Sequence, residues 1–147
     1  MVLQPLIESI GSPILLIRRI HYTFMGRADE DFGPVELTLG ERIVLIDNDA
    51  DGESLRVTEA EWLDPFSEPL SVENQDFVKR SGKWSSFDVS TSDQWARLIG
   101  DRLSEVEPVA NAAGKLTGVI LRTDHECVLR LGVMADELFV DELTTSG

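Results

Sequence analysis

Thiols are almost absent from this chain, which has one cysteine among 147 residues. Because Cys127 has no second thiol to pair with, an intrachain disulfide is excluded, and nothing in the sequence indicates secretion. His125 lies two residues earlier, but residues 124–126 have the composition of a hairpin turn, and the neighbouring Glu126 disfavours a reactive thiolate. A cysteine–histidine catalytic pair is therefore disfavoured, and one cysteine with two histidines makes a poor zinc site.

Long apolar runs are also missing. The longest uninterrupted aliphatic run covers residues 14–17, and two arginines follow it, whereas a helix across a bilayer needs about 20 apolar residues. Residues 1–10 lack the basic stretch and apolar run of a signal peptide. We therefore expect no membrane-spanning helix, no membrane partner and a cytoplasmic location.

Positive charge is scarce. The 13 lysines and arginines stand against 27 acidic residues, which gives a formal net charge of −14. Residues 29–76 alone contain 15 acidic and 2 basic side chains. Such a field repels nucleic acid and attracts cations or basic protein surfaces, so a nucleic-acid partner is not expected. The alternative is that the charge only keeps the protein in solution.

Most of the chain has the period-two alternation of short strands. The alternation covers residues 14–24, where Ile14, Leu16, Ile20, Tyr22 and Phe24 share one predicted face and Arg18 does not fit. It recurs at residues 35–39, 42–46, 54–58, 103–109, 116–123, 127–134 and 138–140. Turn residues separate these segments, which favours antiparallel pairing.

Helical spacing is limited to short segments. The apolar residues of segment 2–10 indicate a short helix that packs on the body or on a second copy, so a homodimer through residues 2–10 is possible. Ser71 and Gly82 are suited to begin and end another helix. The sequence therefore predicts one domain over residues 1–147 with a mainly β (β-rich α+β) fold. Its expected form is an antiparallel barrel or rolled sheet of about eight short strands with two or three short helices.

Residues 47–52 offer alternate carboxylates followed by glycine. Asp47, Asp49 and Asp51 match the opening of a calcium loop, because carboxylates two residues apart can converge on a hard cation. The twelfth position should carry a bidentate glutamate, but it is Thr58. The segment is therefore a weak candidate for calcium, the one cofactor considered, and a plain acidic hairpin turn is the preferred interpretation.

Aromatic residues lie among the acidic residues of segment 29–76. Trp62 and Phe66 can anchor a basic protein on an acidic surface, or they can simply plug the end of the sheet. The candidate partner-binding residues are Asp47, Asp49, Asp51, Glu59, Glu61, Trp62, Asp64 and Phe66.

Three functional hypotheses remain open at this point. The preferred one is a non-enzymatic interaction domain whose acidic face, residues 29–76, meets a basic protein, in the manner of an inhibitor or immunity protein. The first alternative is a β-barrel that binds calcium or a small ligand. The second is an enzyme with a carboxylate-based site. It ranks last because the Gly-x-Ser-x-Gly elbow, the Walker loop and the dinucleotide-binding glycine pattern are all missing.

Overall fold

The structure is a computed structural model, and it describes residues 1–66 and 70–145. Its helices are α1 (Gln4–Ile7), α2 (Val72–Ser81) and a 3₁₀ helix (Asp93–Leu98). Its strands are β1 (Ile14–Phe24), β2 (Arg27–Asp29), β3 (Val35–Leu39), β4 (Arg42–Asn48), β5 (Leu55–Thr58), β6 (Lys83–Asp88), β7 (Leu103–Ala110), β8 (Leu116–Thr123), β9 (Val128–Met134) and β10 (Glu137–Thr144). The mainly β prediction is confirmed. The described residues form ten strands rather than about eight, and one of them, β2, lies in a segment predicted as a loop.

β1 is the centre of the first sheet. β6 pairs with one of its edges, β2 and β3 share the other, and β4 and β5 continue the sheet beyond β3. A register shift between Ile14 and Leu16 marks a bulge, which adds one residue and reverses the alternation of side chains. Ile14 and Ile17 therefore both join the core. The predicted single face of Ile14, Leu16, Ile20, Tyr22 and Phe24 is wrong for this reason.

The second sheet is a meander in the order β10-β9-β8-β7. The predicted hairpin over residues 116–134 is confirmed, with β8 and β9 paired from Gly118 opposite Gly132 to Arg122 opposite Val128. The sheet ends in β10, which follows a tight turn at Ala135 and Asp136. Both turn residues have positive φ, 52° and 70°, as a two-residue hairpin turn requires.

One hydrophobic core lies between the two sheets. Leu37 and Ile46 of the first sheet belong to the same buried cluster as Leu131 and Leu138 of the second. The sheets also meet at one corner, where the Ile14 N–H donates to the Asp101 carbonyl at 2.8 Å. The described strands thus form two packed antiparallel sheets, and a closed barrel is not found among them. The barrel part of the prediction is not confirmed.

The N-terminal segment contributes to this core. α1 is shorter than the predicted helix over residues 2–10, but Leu3 and Leu6 are buried in the core cluster of this chain. Val2 and Ile10 remain exposed, at 45% and 46%. The apolar residues of segment 2–10 are therefore divided between the core and the surface, and dimerisation through residues 2–10 stays a prediction.

Candidate functional site

A cavity of about 510 Å³ lies between β1, β4, β6 and α2 on one side and the β9–β10 turn of the second sheet on the other. Six hydrophobic side chains line it together with three acidic side chains and Lys83. The hydrophobic ones are Ile20, Tyr22, Trp62, Phe66, Phe77 and Trp84, and the acidic ones are Asp47, Asp136 and Glu137. We call this cavity the aromatic–acidic pocket. A cavity of this size lies within the range of ligand sites.

The strand pairing of β1 with β6 positions the floor of this pocket. Tyr22 lies opposite Trp84 in the register, and their rings meet edge to face with centroids 5.8 Å apart. The Phe32 ring also meets Trp84 edge to face, with centroids 5.9 Å apart. Ile20 is fully buried beside them but lies outside the main core cluster. The floor is therefore a small aromatic layer of its own.

A buried ion pair holds the loop that carries Trp62. Arg18 and Glu36 form two hydrogen bonds, 2.7 Å from Nε to Oε1 and 2.6 Å from Nη2 to Oε2. The backbone N–H of Trp62 donates to Glu36 Oε2 at 2.8 Å, and its carbonyl accepts from Arg18 Nη2 at 3.2 Å. Both backbone groups of Trp62 are thus satisfied by one bidentate pair. Arg18, which did not fit the strand pattern, thus helps to fix the backbone of Trp62 beside the pocket.

A second ion pair holds Phe66. Lys83 on β6 contacts Asp64 at 2.5 Å, and the other oxygen of Asp64 accepts from the Phe66 N–H at 2.8 Å. Partial burial raises the pKa of Asp64, but Lys83 and the Phe66 N–H outweigh that effect, and the pKa lies below its ordinary value. Phe66 in turn stacks on Phe77 of α2 at 5.5 Å. Asp64 is therefore a positioning residue for this wall.

The acidic rim comes from two distant parts of the chain. Asp47 is near the end of β4, and Asp136 and Glu137 follow β9. The two segments meet because the Asp136 N–H donates to the carbonyl of Gly52 at 3.1 Å. Burial raises the pKa of Asp47, and burial together with the charges of Asp47 and Asp136 raises that of Glu137. The rim therefore holds negative charge that nearby cations only partly balance.

Asp49 and Asp51 serve the β4–β5 turn. Asp51 accepts hydrogen bonds from the Ser54 hydroxyl at 2.7 Å and from the N–H groups of Ser54 and Glu53 at 2.8 and 2.9 Å, and these bonds lower its pKa. Asp49 accepts from the next N–H in the chain. Within the described residues, no group of three His, Cys, Asp or Glu side chains is placed to hold a metal ion.

The remaining sequence candidates lie outside the pocket. Glu59 pairs with Arg42 at 2.8 Å, and Glu61 lies 3.7 Å from Arg18. Of the eight predicted partner-binding residues, Asp47, Trp62 and Phe66 line the pocket and Asp64 supports it. Residues 67–69 of the predicted acidic face lie outside the described residues. Sequence reasoning missed Tyr22, Asp136 and Glu137, which reach the pocket through the pairing of β1 with β6 and the contact of two turns.

Cys127 and His125 lie in different environments. Cys127 is 2% exposed, and its N–H donates to the Thr123 hydroxyl at 3.0 Å. His125 is exposed and contacts Asp101 at 2.8 Å. The pKa of His125 is raised by that hydrogen bond and charge. The histidine therefore serves an ion pair at the hairpin turn.

Comparisons with known proteins found no match for this chain, whether among protein-family models, curated proteins or solved structures. Among the described residues, the helices are all too short or too polar to cross a lipid bilayer.

Proposed function

We propose that this chain is a non-enzymatic interaction domain that takes a lysine or arginine side chain of a basic partner protein into the aromatic–acidic pocket. The observation that carries the proposal is the position of Trp62 and Phe66 beside the carboxylates of Asp47 and Glu137 in one cavity. A long cationic side chain has the matching shape, an apolar stem and a charged end.

The raised pKa values of Asp47 and Glu137 support a cationic guest. Each shift means that the free protein disfavours the ionised carboxylate, through burial and, at Glu137, through repulsion from Asp47 and Asp136. An incoming cation removes that penalty, so part of the binding free energy comes from relief of repulsion. Binding should then lower both pKa values and release protons when it occurs near them.

The aromatic walls support the same guest. A guanidinium or ammonium group gains cation–π attraction over the faces of Trp and Tyr, about 0.5–2 kcal/mol depending on solvent exposure. The indole of Trp62 is held at its backbone by Arg18 and Glu36, and Phe66 is held by Asp64. A wall that is already ordered loses little side-chain entropy on binding.

The excess of negative charge outside the pocket supports a role in association rate. Residues 29–76 carry most of the net charge of the chain, and such a field steers a basic protein toward the anchor. An inhibitor or immunity-like protein that covers a basic enzyme would use this combination of steering and anchor.

The test compares two variants with equal charge change. Asp47→Asn/Glu137→Gln removes the rim charge, and Glu105→Gln/Glu126→Gln removes two exposed charges outside segment 29–76. An arginine-rich peptide is titrated against each protein by tryptophan fluorescence, with stopped-flow association rates at low and moderate salt. We expect the rim variant to bind the peptide about tenfold more weakly. The control should associate more slowly only at low salt, where the net charge of the protein steers the peptide.

Equal affinity of the two variants would contradict the proposal, because binding would then depend on the net charge of the protein and not on the rim carboxylates. Retention of one basic protein from native lysate by the wild type and the control, but not by the rim variant, would identify the partner. Retention by all three proteins would place the contact elsewhere.

A small amphipathic cation is the second candidate occupant of the same pocket, and the observation that favours it is the cavity volume of about 510 Å³, which is in the range of small-ligand sites. An aromatic amine that competes with the arginine-rich peptide and raises the melting temperature of the wild type would favour this candidate. The enzymatic hypothesis stays a prediction.

A further inference from the structure

Arg19 is a buried cation that forms no ion pair with the described residues. The residue is 5% exposed, and its one hydrogen bond is a long one, 3.4 Å from Nη2 to the Gly33 carbonyl. Its Nε has no hydrogen-bond partner. No carboxylate among the described residues lies within 4.0 Å of the guanidinium. Buried charges in proteins are ordinarily paired, because an unpaired one costs free energy.

The guanidinium stays protonated in this position. Burial lowers the pKa of Arg19 to about 10, against a smaller opposing effect of the Glu30 charge, so the side chain is a cation at neutral pH. The ring of Trp95 lies 5.8 Å from the guanidinium carbon and offers a weak cation–π contact. Trp95 cannot accept the unused Nε–H in the way an anion would.

Arg19 lines a second cavity, which we call the Arg19 cavity. Its volume is about 830 Å³, and it lies on the opposite face of β1 from the aromatic–acidic pocket. Side chains of β1 alternate between the two, with Ile20 and Tyr22 facing one cavity and Arg19 and His21 facing the other. Apolar walls of the Arg19 cavity come from Phe87, Val89, Trp95 and Leu143.

We infer that the Arg19 cavity binds an organic anion with a single carboxylate and an apolar body. The planar guanidinium can hold both oxygens of a carboxylate through its two Nη groups. The apolar body would then lie against Phe87 and Trp95.

The surrounding charges set the valence of the ligand. Glu30, Asp88 and Asp93 also line the cavity, and they repel a dianion such as phosphate. His21 adds no compensating positive charge at neutral pH, because burial lowers its pKa and its Nδ1 contacts the Phe32 carbonyl at 3.0 Å. The lining as a whole is therefore negative, so a ligand anion depends on direct contact with Arg19 and a second negative charge on it is disfavoured.

The experiment titrates phenylacetate, phenylacetamide and inorganic phosphate into the full chain, with melting temperature and tryptophan fluorescence as readouts. We expect phenylacetate to raise the melting temperature of the wild type, and the amide and phosphate to have no effect. A tetrapeptide with a free C-terminal phenylalanine, compared with its amidated form, distinguishes a peptide terminus from a free acid as the source of the carboxylate.

Variants assign the site. Arg19→Met removes the charge, and we expect it to weaken phenylacetate binding about tenfold or more. Arg19→Lys keeps the charge without the planar fork and should have an intermediate effect. Arg97→Met, at an exposed position, is the matched control and should bind as the wild type does. Trp95→Phe should remove the fluorescence change, since Trp62 and Trp84 face the other pocket.

Two results would overturn the inference. One is the absence of any response to phenylacetate and to the free-acid peptide in the wild type. The other is a response that persists unchanged in Arg19→Met, or in Arg19→Lys if the methionine variant does not fold. None of these variants alters Asp47 or Glu137, so the inference and the proposed function can fail independently.

Discussion

Glu36 accepts the backbone N–H of Trp62 at 2.8 Å with the same oxygen that pairs with Arg18 at 2.6 Å. The carboxylate is 3% exposed. An ion pair within the first sheet therefore determines where an aromatic wall of the pocket lies.

We expect Glu36→Gln to destabilise the fold by about 1–3 kcal/mol, because it weakens the charge-assisted bonds and leaves Arg18 half-buried without its counterion. Denaturant unfolding measures the change. The double variant Arg18→Met/Glu36→Leu should cost less than the sum of the two single variants, since both charges are removed together. Additive costs would show that the pair is not coupled.

Asp47→Asn and Glu137→Gln should each stabilise the fold at neutral pH by a few tenths of a kcal/mol, even though they weaken cation binding. A carboxyl whose folded-state pKa is raised binds its proton more tightly in the folded state than in the unfolded state, so stability falls as pH rises from the unfolded to the folded pKa. The gain over the wild type should vanish below the unfolded-state pKa. Melting temperatures between acid and neutral pH test this, and a loss of stability at neutral pH would contradict it.

Asp51→Asn should behave in the opposite way and lower the melting temperature at neutral pH. Hydrogen bonds from Ser54 and Glu53 hold the pKa of Asp51 low, so its contribution is present above the unfolded-state pKa and is lost as pH falls toward the folded-state value. The melting temperatures of the wild type and the variant should therefore become equal in acid.

Addition of calcium to the wild type tests the weaker hypothesis at the same turn, because a higher melting temperature would support a calcium loop.

Gly33→Ala should be the most damaging glycine substitution near the pockets. Gly33 has φ of +133°, and an added Cβ would lie 1.8 Å from the Ile20 carbonyl oxygen, so the backbone must shift. We expect a loss of about 3 kcal/mol or more. Gly26→Ala is the control, since its φ is also positive but nothing lies within 4 Å of the new Cβ. That variant should lose only about 1 kcal/mol, and equal losses would mean that the close approach has no effect.

Leu6→Ala should destabilise the chain by about 2–5 kcal/mol, because Leu6 is completely buried in the core. Val2→Ser/Ile10→Ser should leave the melting temperature unchanged in a monomer, since both side chains are exposed. Light scattering on the wild type and the same double variant tests the dimer prediction. If the wild type has the mass of two chains and the double variant has the mass of one, dimerisation through residues 2–10 is supported.

Sequence patterns were sufficient for the strand content and for the β8–β9 hairpin, because alternation and turn residues are local signals. They failed at β1, where a bulge near Leu15 adds one residue without any signal of its own. The bulge moves Ile14 to the core face, whereas Arg18 stays on the face of Ile20 and Tyr22. Three lining residues of the pocket, Asp47, Trp62 and Phe66, were candidates from the sequence because they lie in one acidic segment. Asp136 and Glu137 were not, because they join the pocket only through the contact of two hairpin turns. Contacts of that kind depend on tertiary packing, which composition does not encode.

The alternation of β1 also limits which changes in chain length the protein can tolerate. Because successive side chains point to opposite faces, removing one residue between Leu15 and Arg19 would turn the guanidinium toward the acidic rim and send Ile20 into the other cavity. Removing two would restore both faces at the cost of a shorter strand. Natural insertions and deletions should therefore be rare in this segment, and those that occur should come in pairs.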